Sequence, residues 1–244
     1  MSEIRAILFD FGNTLVRVVY NYDIQVASLY NFFIKEGFAF PSLWDFKETY
    51  SRTRDEQRLI SQKTLKEIDL DERFCKVLEK FGYSCHPETD LIIKAIDLYI
   101  GVFFRGVELH PGLKDLLRDL KTVYNLKLGI ISNFPRSKDL LNSLKKFKII
   151  DFFDTITISA DVGWIKPHKA IFKKAISDLK ISTNEAIFVG DNFYADVYGA
   201  KKFGMRAAYL KTDESPQNSH LADEYTVKPD WVINSLNELR SILK

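Results

Sequence analysis

Ala6-Ile7-Leu8-Phe9-Asp10-Phe11-Gly12-Asn13-Thr14 is the stretch on which the fold turns. Its first four residues are apolar without alternation, the pattern of a short strand covered on both faces by helices, as in a parallel sheet. A carboxylate and a run of turn-forming residues follow at once. Ligands of open parallel sheets bind outside the carboxyl ends of the strands. Asp10 is therefore placed where such a sheet does its chemistry.

Outward from this point the pattern divides. From about Asn21 to Arg105 apolar residues recur at helical spacing, as in Phe74, Val77, Leu78 and Phe81, and no strand is expected. Helices are expected over Asp23–Glu36, Leu43–Ile60, Glu67–Phe81 and Glu88–Phe104. Beyond Pro111 helical and strand patterns alternate. Strands are expected at Lys127–Ile131, Thr155–Ile158, Ala186–Val189 and Arg206–Leu210, with helices between them. Parallel neighbours need crossover connections, so this alternation implies βαβ units. The expected fold is an α/β, doubly wound, Rossmann-like core (residues 1–16 and 107–244), with an all-helical cap (17–106) inserted after the first strand.

Composition narrows the function. The 244 residues carry 35 Lys+Arg against 33 Asp+Glu, a formal net charge of +2. That balance gives no general attraction to nucleic acid or to an anionic membrane. No apolar run approaches the ~20 residues that span a bilayer, and the start of the chain runs directly into the first strand, so a cytoplasmic protein is expected. Cys75 and Cys85 lack metal-ligand spacing and are expected to be packing residues. The polar stretch Thr212–His220 reads as a surface loop. The histidines His86, His110, His168 and His220 show no zinc spacing and read as capping or surface residues.

Asp10, Ser132, Asp191 and Asp196 all fall at expected strand ends or in the loops just beyond, and Lys166 lies in the loop Gly163-Trp164-Ile165-Lys166-Pro167. A rim with carboxylates, a hydroxyl and a lysine suits phosphoryl transfer, which depends on positioning and on cationic stabilisation of dispersed negative charge.

Four segments in order, DFGNT, IISN, GWIKP and VGDNFYAD, together resemble the haloacid dehalogenase superfamily, whose members are mostly phosphatases. The trailing YGAKKFGM is similar to the family's continuation, and the helical insert resembles its cap. The resemblance implies Asp10 as a nucleophile that forms an aspartyl-phosphate, on a small phosphorylated metabolite. It implies Mg2+ held by Asp10, the carbonyl of Gly12 and Asp191, a hard oxygen set that suits this ion. Asp196 would stand just outside that set, holding a water of the metal or pairing with Lys166. Ser132 and the backbone N–H groups after it would bind phosphate, with Lys166 as a point charge on the same oxygens. Thr14 would brace the loop from within the phosphate-binding group, and Asn133 would either face the substrate or start the next turn. The metal-free dehalogenase branch is disfavoured because Asp191 is retained.

One position departs from the pattern. Phosphatases of this family usually carry a second Asp two residues after the nucleophile, as general acid and then base, and here that residue is Gly12. Three explanations stand: a cap residue such as Tyr20, Tyr22, Arg54 or Glu56 supplies the proton; the leaving group needs none; or the protein binds a phosphorylated ligand with little turnover.

Overall fold

The computed structural model describes residues 3–19, 21–212 and 227–243. Tyr20, His220 and residues 213–220 of the polar stretch lie outside the described residues. The strands are β1 (Ala6–Phe9), β2 (Val16–Val18), β3 (Val107–Leu109), β4 (Lys127–Ser132), β5 (Thr155–Ile158), β6 (Ala186–Gly190), β7 (Arg206–Leu210) and β8 (Trp231–Ile233). Six of them form one sheet in the order β5-β4-β1-β6-β7-β8, and every pairing in it is parallel. The other two, β2 and β3, pair with each other.

All four residues of β1 are buried without remainder, as a strand flanked by two others and covered on both faces should be. Phe9 is in register with Ile130 of β4 and Val189 of β6. Asp10 therefore stands level with Ile131 and Gly190, one residue short of Ser132 and Asp191. The chain winds outward from β1 through β4 and β5 and then returns through β6, β7 and β8, so the order reverses around β1. Ligand crevices form at such switch points. The expected α/β core is what the chain adopts.

The helices are α1 (Tyr22–Lys35), α2 (Leu43–Thr64), α3 (Leu70–Lys80), α4 (Asp90–Arg105), α5 (Leu113–Thr122), α6 (Ser137–Lys146), α7 (Ser159–Val162), α8 (Lys169–Leu179), α9 (Gly199–Phe203) and α10 (Leu239–Ile242). Contacts divide the chain into two compact units, Met1–Val18 with Glu108–Lys244, and Val19–Val107. The second unit holds α1 to α4. Asn21, Ser42 and Thr89 start α1, α2 and α4 with side chains that accept from backbone N–H groups. Its interior is strongly aromatic: Phe33, Phe46, Tyr50 and Phe74 are completely buried. Trp44, by contrast, is 69% exposed and takes no part in that interior. Among the described residues no helix is long and apolar enough to cross a membrane.

The cysteines depart from expectation. Cys75 and Cys85 are joined in a disulfide. The chain reverses after α3 at Gly82, whose φ of +83° suits glycine, and the return brings the two Cα atoms to 5.1 Å, within bonding range. Composition could not show this, because it depends on the direction of the chain after α3. Tyr83 fastens the same turn by accepting from Ala39 N and donating to Ala39 O, both at 2.8 Å. A cross-link over a separation of ten residues restricts the unfolded chain by about 3 kcal/mol. Treatment with dithiothreitol is expected to lower the melting temperature by several degrees, read by calorimetry beside a Cys75→Ala/Cys85→Ala variant that the reductant leaves unchanged.

Candidate active site

The turn after β1 is built by its own residues. Leu15 N and Val16 N both donate to Phe11 O, at 3.0 and 3.2 Å. Asn13 has φ +54°, a conformation asparagine tolerates better than most residues, and its Oδ1 accepts from Val18 N at 3.2 Å. The turn leaves Asp10 at the strand end, with its own N–H donating to Val189 O at 2.9 Å.

Around Asp10 the predicted residues converge. Lys166 is 3% exposed, and its Nζ lies 2.6 Å from Asp10 Oδ1 and 2.7 Å from Asp196 Oδ1. The same ammonium stands 5.2 Å from the centre of the Phe188 ring, within cation–π range. Thr14, completely buried, donates its hydroxyl to Asp191 Oδ1 at 3.3 Å. Asp10, Asp191 and Asp196 each offer an oxygen within 4.8 Å of the others. Ser132 is buried at the end of β4, in register with Ile158. Asn133 Oδ1 accepts from Lys166 N at 2.7 Å, and its Nδ2 donates to Lys166 O at 3.3 Å.

Two local features escaped the sequence. Phe193–Tyr198 is a π-helical turn, a form often found at functional sites, and it carries Asp196 back toward the strand ends, where Oδ2 accepts from Asn192 N at 2.9 Å. The approach is so close that a Cβ on Gly190 would lie 2.3 Å from Asp196 Oδ2. The motif's glycine is therefore set by the carboxylate beside it. In the lysine loop, the Trp164 and His168 rings stack at 3.8 Å and 10°. His168 Nδ1 also accepts from Ala170 N and starts α8, so this histidine caps and packs.

Tyr22, Arg54 and Glu56 all lie in the helical unit. Tyr22 shares a 2.7 Å hydrogen bond with Ser51, the Arg54 guanidinium stands 4.4 Å over the Tyr22 ring, and Glu56 pairs with Lys80 at 2.8 Å. Burial raises the Tyr22 phenol above its ordinary value, with the Ser51 bond opposing.

Three carboxylates around one ammonium leave an excess of negative charge. Burial, then the charges of Asp10 and Asp196, push Asp191 up to about 8 against the pull of Lys166 and Thr14. Burial likewise pushes Asp196 up to about 6, with Lys166 opposing. Burial also disfavours the Lys166 ammonium, but Asp10 and Asp196 outweigh it and hold its pKa above the ordinary lysine value. The donor set, all oxygen and short of positive charge, fits a hard divalent cation.

The raised carboxyls have a consequence for stability. A folded-state pKa above the unfolded value near 4 means that the folded chain binds more protons, so stability falls as pH rises through that interval. In EDTA the melting temperature is expected to fall between about pH 5 and the Asp191 value of about 8. A divalent cation bound to these carboxylates would remove most of that fall by favouring their charged form. A flat or rising profile in EDTA would contradict the assignment.

Comparison with known proteins bears on family and fold. Residues 7–210 match the family described as haloacid dehalogenase-like hydrolase. The chain is 31% identical over 194 residues to a glyceraldehyde 3-phosphate phosphatase of Pyrococcus furiosus, covering 72% of this chain and 78% of the relative. A HAD phosphatase from Thermococcus onnurineus has the same fold, with a TM-score of 0.67 at 24% identity over 98% of both chains. So does the HAD-hydrolase YfnB of Bacillus subtilis, solved bound to magnesium, with a TM-score of 0.66 at 22% identity over the whole of both chains.

Proposed function

The chain belongs to the haloacid dehalogenase-like hydrolase family, and from that premise we propose that it is a phosphatase of small phosphorylated metabolites that reacts through Asp10. The observation that carries this reading is the buried contact of Lys166 with Asp10 at 2.6 Å, backed by Asp196 at 2.7 Å. The Lys166 ammonium offsets the charge of the Asp10 carboxylate and fixes its direction, and a carboxylate so held can act as a nucleophile.

In the first step Asp10 attacks phosphorus, and the bond from phosphorus to the leaving oxygen breaks. In the second, the oxygen of a water attacks the same phosphorus, its proton passes to solvent, and Asp10 is released with inorganic phosphate. Splitting the displacement in this way lowers each barrier. Lys166 and Ser132 hold phosphate oxygens, and Thr14 orients Asp191 through its hydroxyl. Asp10, the carbonyl of Gly12 and Asp191 would hold Mg2+, with Asp196 beside them. When bound, that ion supplies positive charge for the phosphate oxygens. The magnesium named for the YfnB structure and the phosphatase activity named for the Pyrococcus relative support the same reading.

Gly12 sets the leaving group. A residue without a side chain gives no proton to the departing oxygen, which must take one from solvent. Acyl and aryl phosphates tolerate that loss better than sugar phosphates do. The same observation favours a second reading, a protein that binds a phosphorylated ligand with little turnover. Assay of acyl, aryl and sugar phosphates with Mg2+, beside Asp10→Asn, separates the two: turnover that vanishes in the variant supports the phosphatase, and phosphate binding without turnover on any of the three supports the second.

A further inference from the structure

Asn133 follows the last residue of β4 on the rim of the site, and its side chain is solvent-exposed, a place that invites contact with substrate. Both of its polar atoms are nonetheless engaged by one residue. The carbonyl accepts from Lys166 N at 2.7 Å and the amino group donates to Lys166 O at 3.3 Å. We infer that Asn133 is a positioning residue that fixes Lys166 and does not itself bind the substrate.

The rest of the loop supports that division of labour. Gly163 turns the chain out of α7 at φ +75°. Trp164 and His168, two residues to either side of Lys166, close the loop by stacking at 3.8 Å. His168 N donates to Ile165 O at 2.9 Å, and His168 Nδ1 starts α8. These contacts hold the two ends of the loop, while Asn133 grips the middle from a different strand. Both backbone polar groups of Lys166 are thereby fixed. A lysine carries four rotatable bonds, and holding its backbone is what leaves only a few ways for Nζ to reach Asp10 and Asp196 together.

The inference rests in part on the role given to Lys166 above, so the test uses a readout that does not need turnover. Acetic anhydride labels exposed amines, and the buried, doubly paired Lys166 should react slowly. In Asn133→Ala, labelling of Lys166 read by peptide mass spectrometry is expected to rise about tenfold, with the other lysines unchanged. An unchanged rate at Lys166 overturns the inference. If every lysine speeds up because the variant is loosened, Asn133→Ser, which keeps an acceptor for Lys166 N, supplies the same comparison.

Calorimetric titration with inorganic phosphate and Mg2+ gives the second arm. Asn133→Ala should weaken phosphate about tenfold in the native background and less than about twofold in a Lys166→Met background, because residues acting through one another are not additive. Equal losses in both backgrounds would mean that Asn133 touches the anion itself. Faster labelling with phosphate affinity unchanged would leave the positioning intact and overturn the role of Lys166 as a phosphate ligand.

Discussion

Asp10→Asn is expected to lower turnover by about 10⁴-fold or more on every phosphorylated substrate, the scale seen when a covalent nucleophile is lost. The substitution is nearly isosteric and removes only charge and nucleophilicity. Lys166 keeps a partner in Asp196 at 2.7 Å, so its ammonium is not left buried alone, and the variant should fold. The uniformity of the loss is the diagnostic part. A residue that only oriented the substrate would affect different leaving groups to different degrees, whereas the attacking atom is common to all. Steady-state rates with Mg2+ on an acyl, an aryl and a sugar phosphate measure it directly. Residual turnover within tenfold of the parent on any of them would remove Asp10 from the role.

Gly12→Asp acts in the opposite direction and selectively. The backbone does not require glycine here, since Gly12 is not among the glycines of positive φ. A Cβ built on it meets only Val18 Cγ2, at 4.0 Å, so the side chain has room. Placed two residues after the nucleophile, the new carboxyl can protonate the leaving oxygen and then take a proton from the attacking water. General acid–base help of this kind is worth roughly 10²–10⁴ in rate. The gain should be largest on sugar phosphates, whose alkoxide leaves poorly and which draw on the carboxyl in both steps, and smaller on acyl phosphates, which gain only in hydrolysis of the intermediate. Equal gains on both would show that Gly12 does not limit departure of the leaving group, and none on either would show that it does not limit the reaction.

Much of this was legible because the motif residues sit at the ends of long or strongly apolar segments. β1, β4 and β6 are buried runs that declare themselves, and parallel pairing then carries Asp10, Ser132 and Asp191 to one rim. Shorter elements carried too little pattern. β2 and β3 are three residues each, as is β8, and three residues cannot establish a period of two. The π-helical turn at Asp196 differs from an α-helix by one residue in its hydrogen bonding, which leaves no compositional trace. The Cys75–Cys85 bond and the grip of Asn133 on Lys166 depend on where loops return, and a sequence does not state that. Gly190 was readable as a motif residue, but its reason, the carboxylate of Asp196 against its Cα, needed coordinates.

Without a base at residue 12, hydrolysis of the covalent intermediate should be slow, so that the phosphorylated enzyme accumulates on a substrate with a good leaving group. The most direct measurement is therefore a trap. Protein mixed with an acyl phosphate and Mg2+ is quenched with borohydride, which reduces an aspartyl-phosphate to homoserine, and the peptides are sequenced by mass spectrometry. Homoserine at residue 10, absent from Asp10→Asn and diminished in Gly12→Asp, is the predicted result. Turnover that proceeds with residue 10 recovered only as aspartate, or with the label on another side chain, would contradict the account.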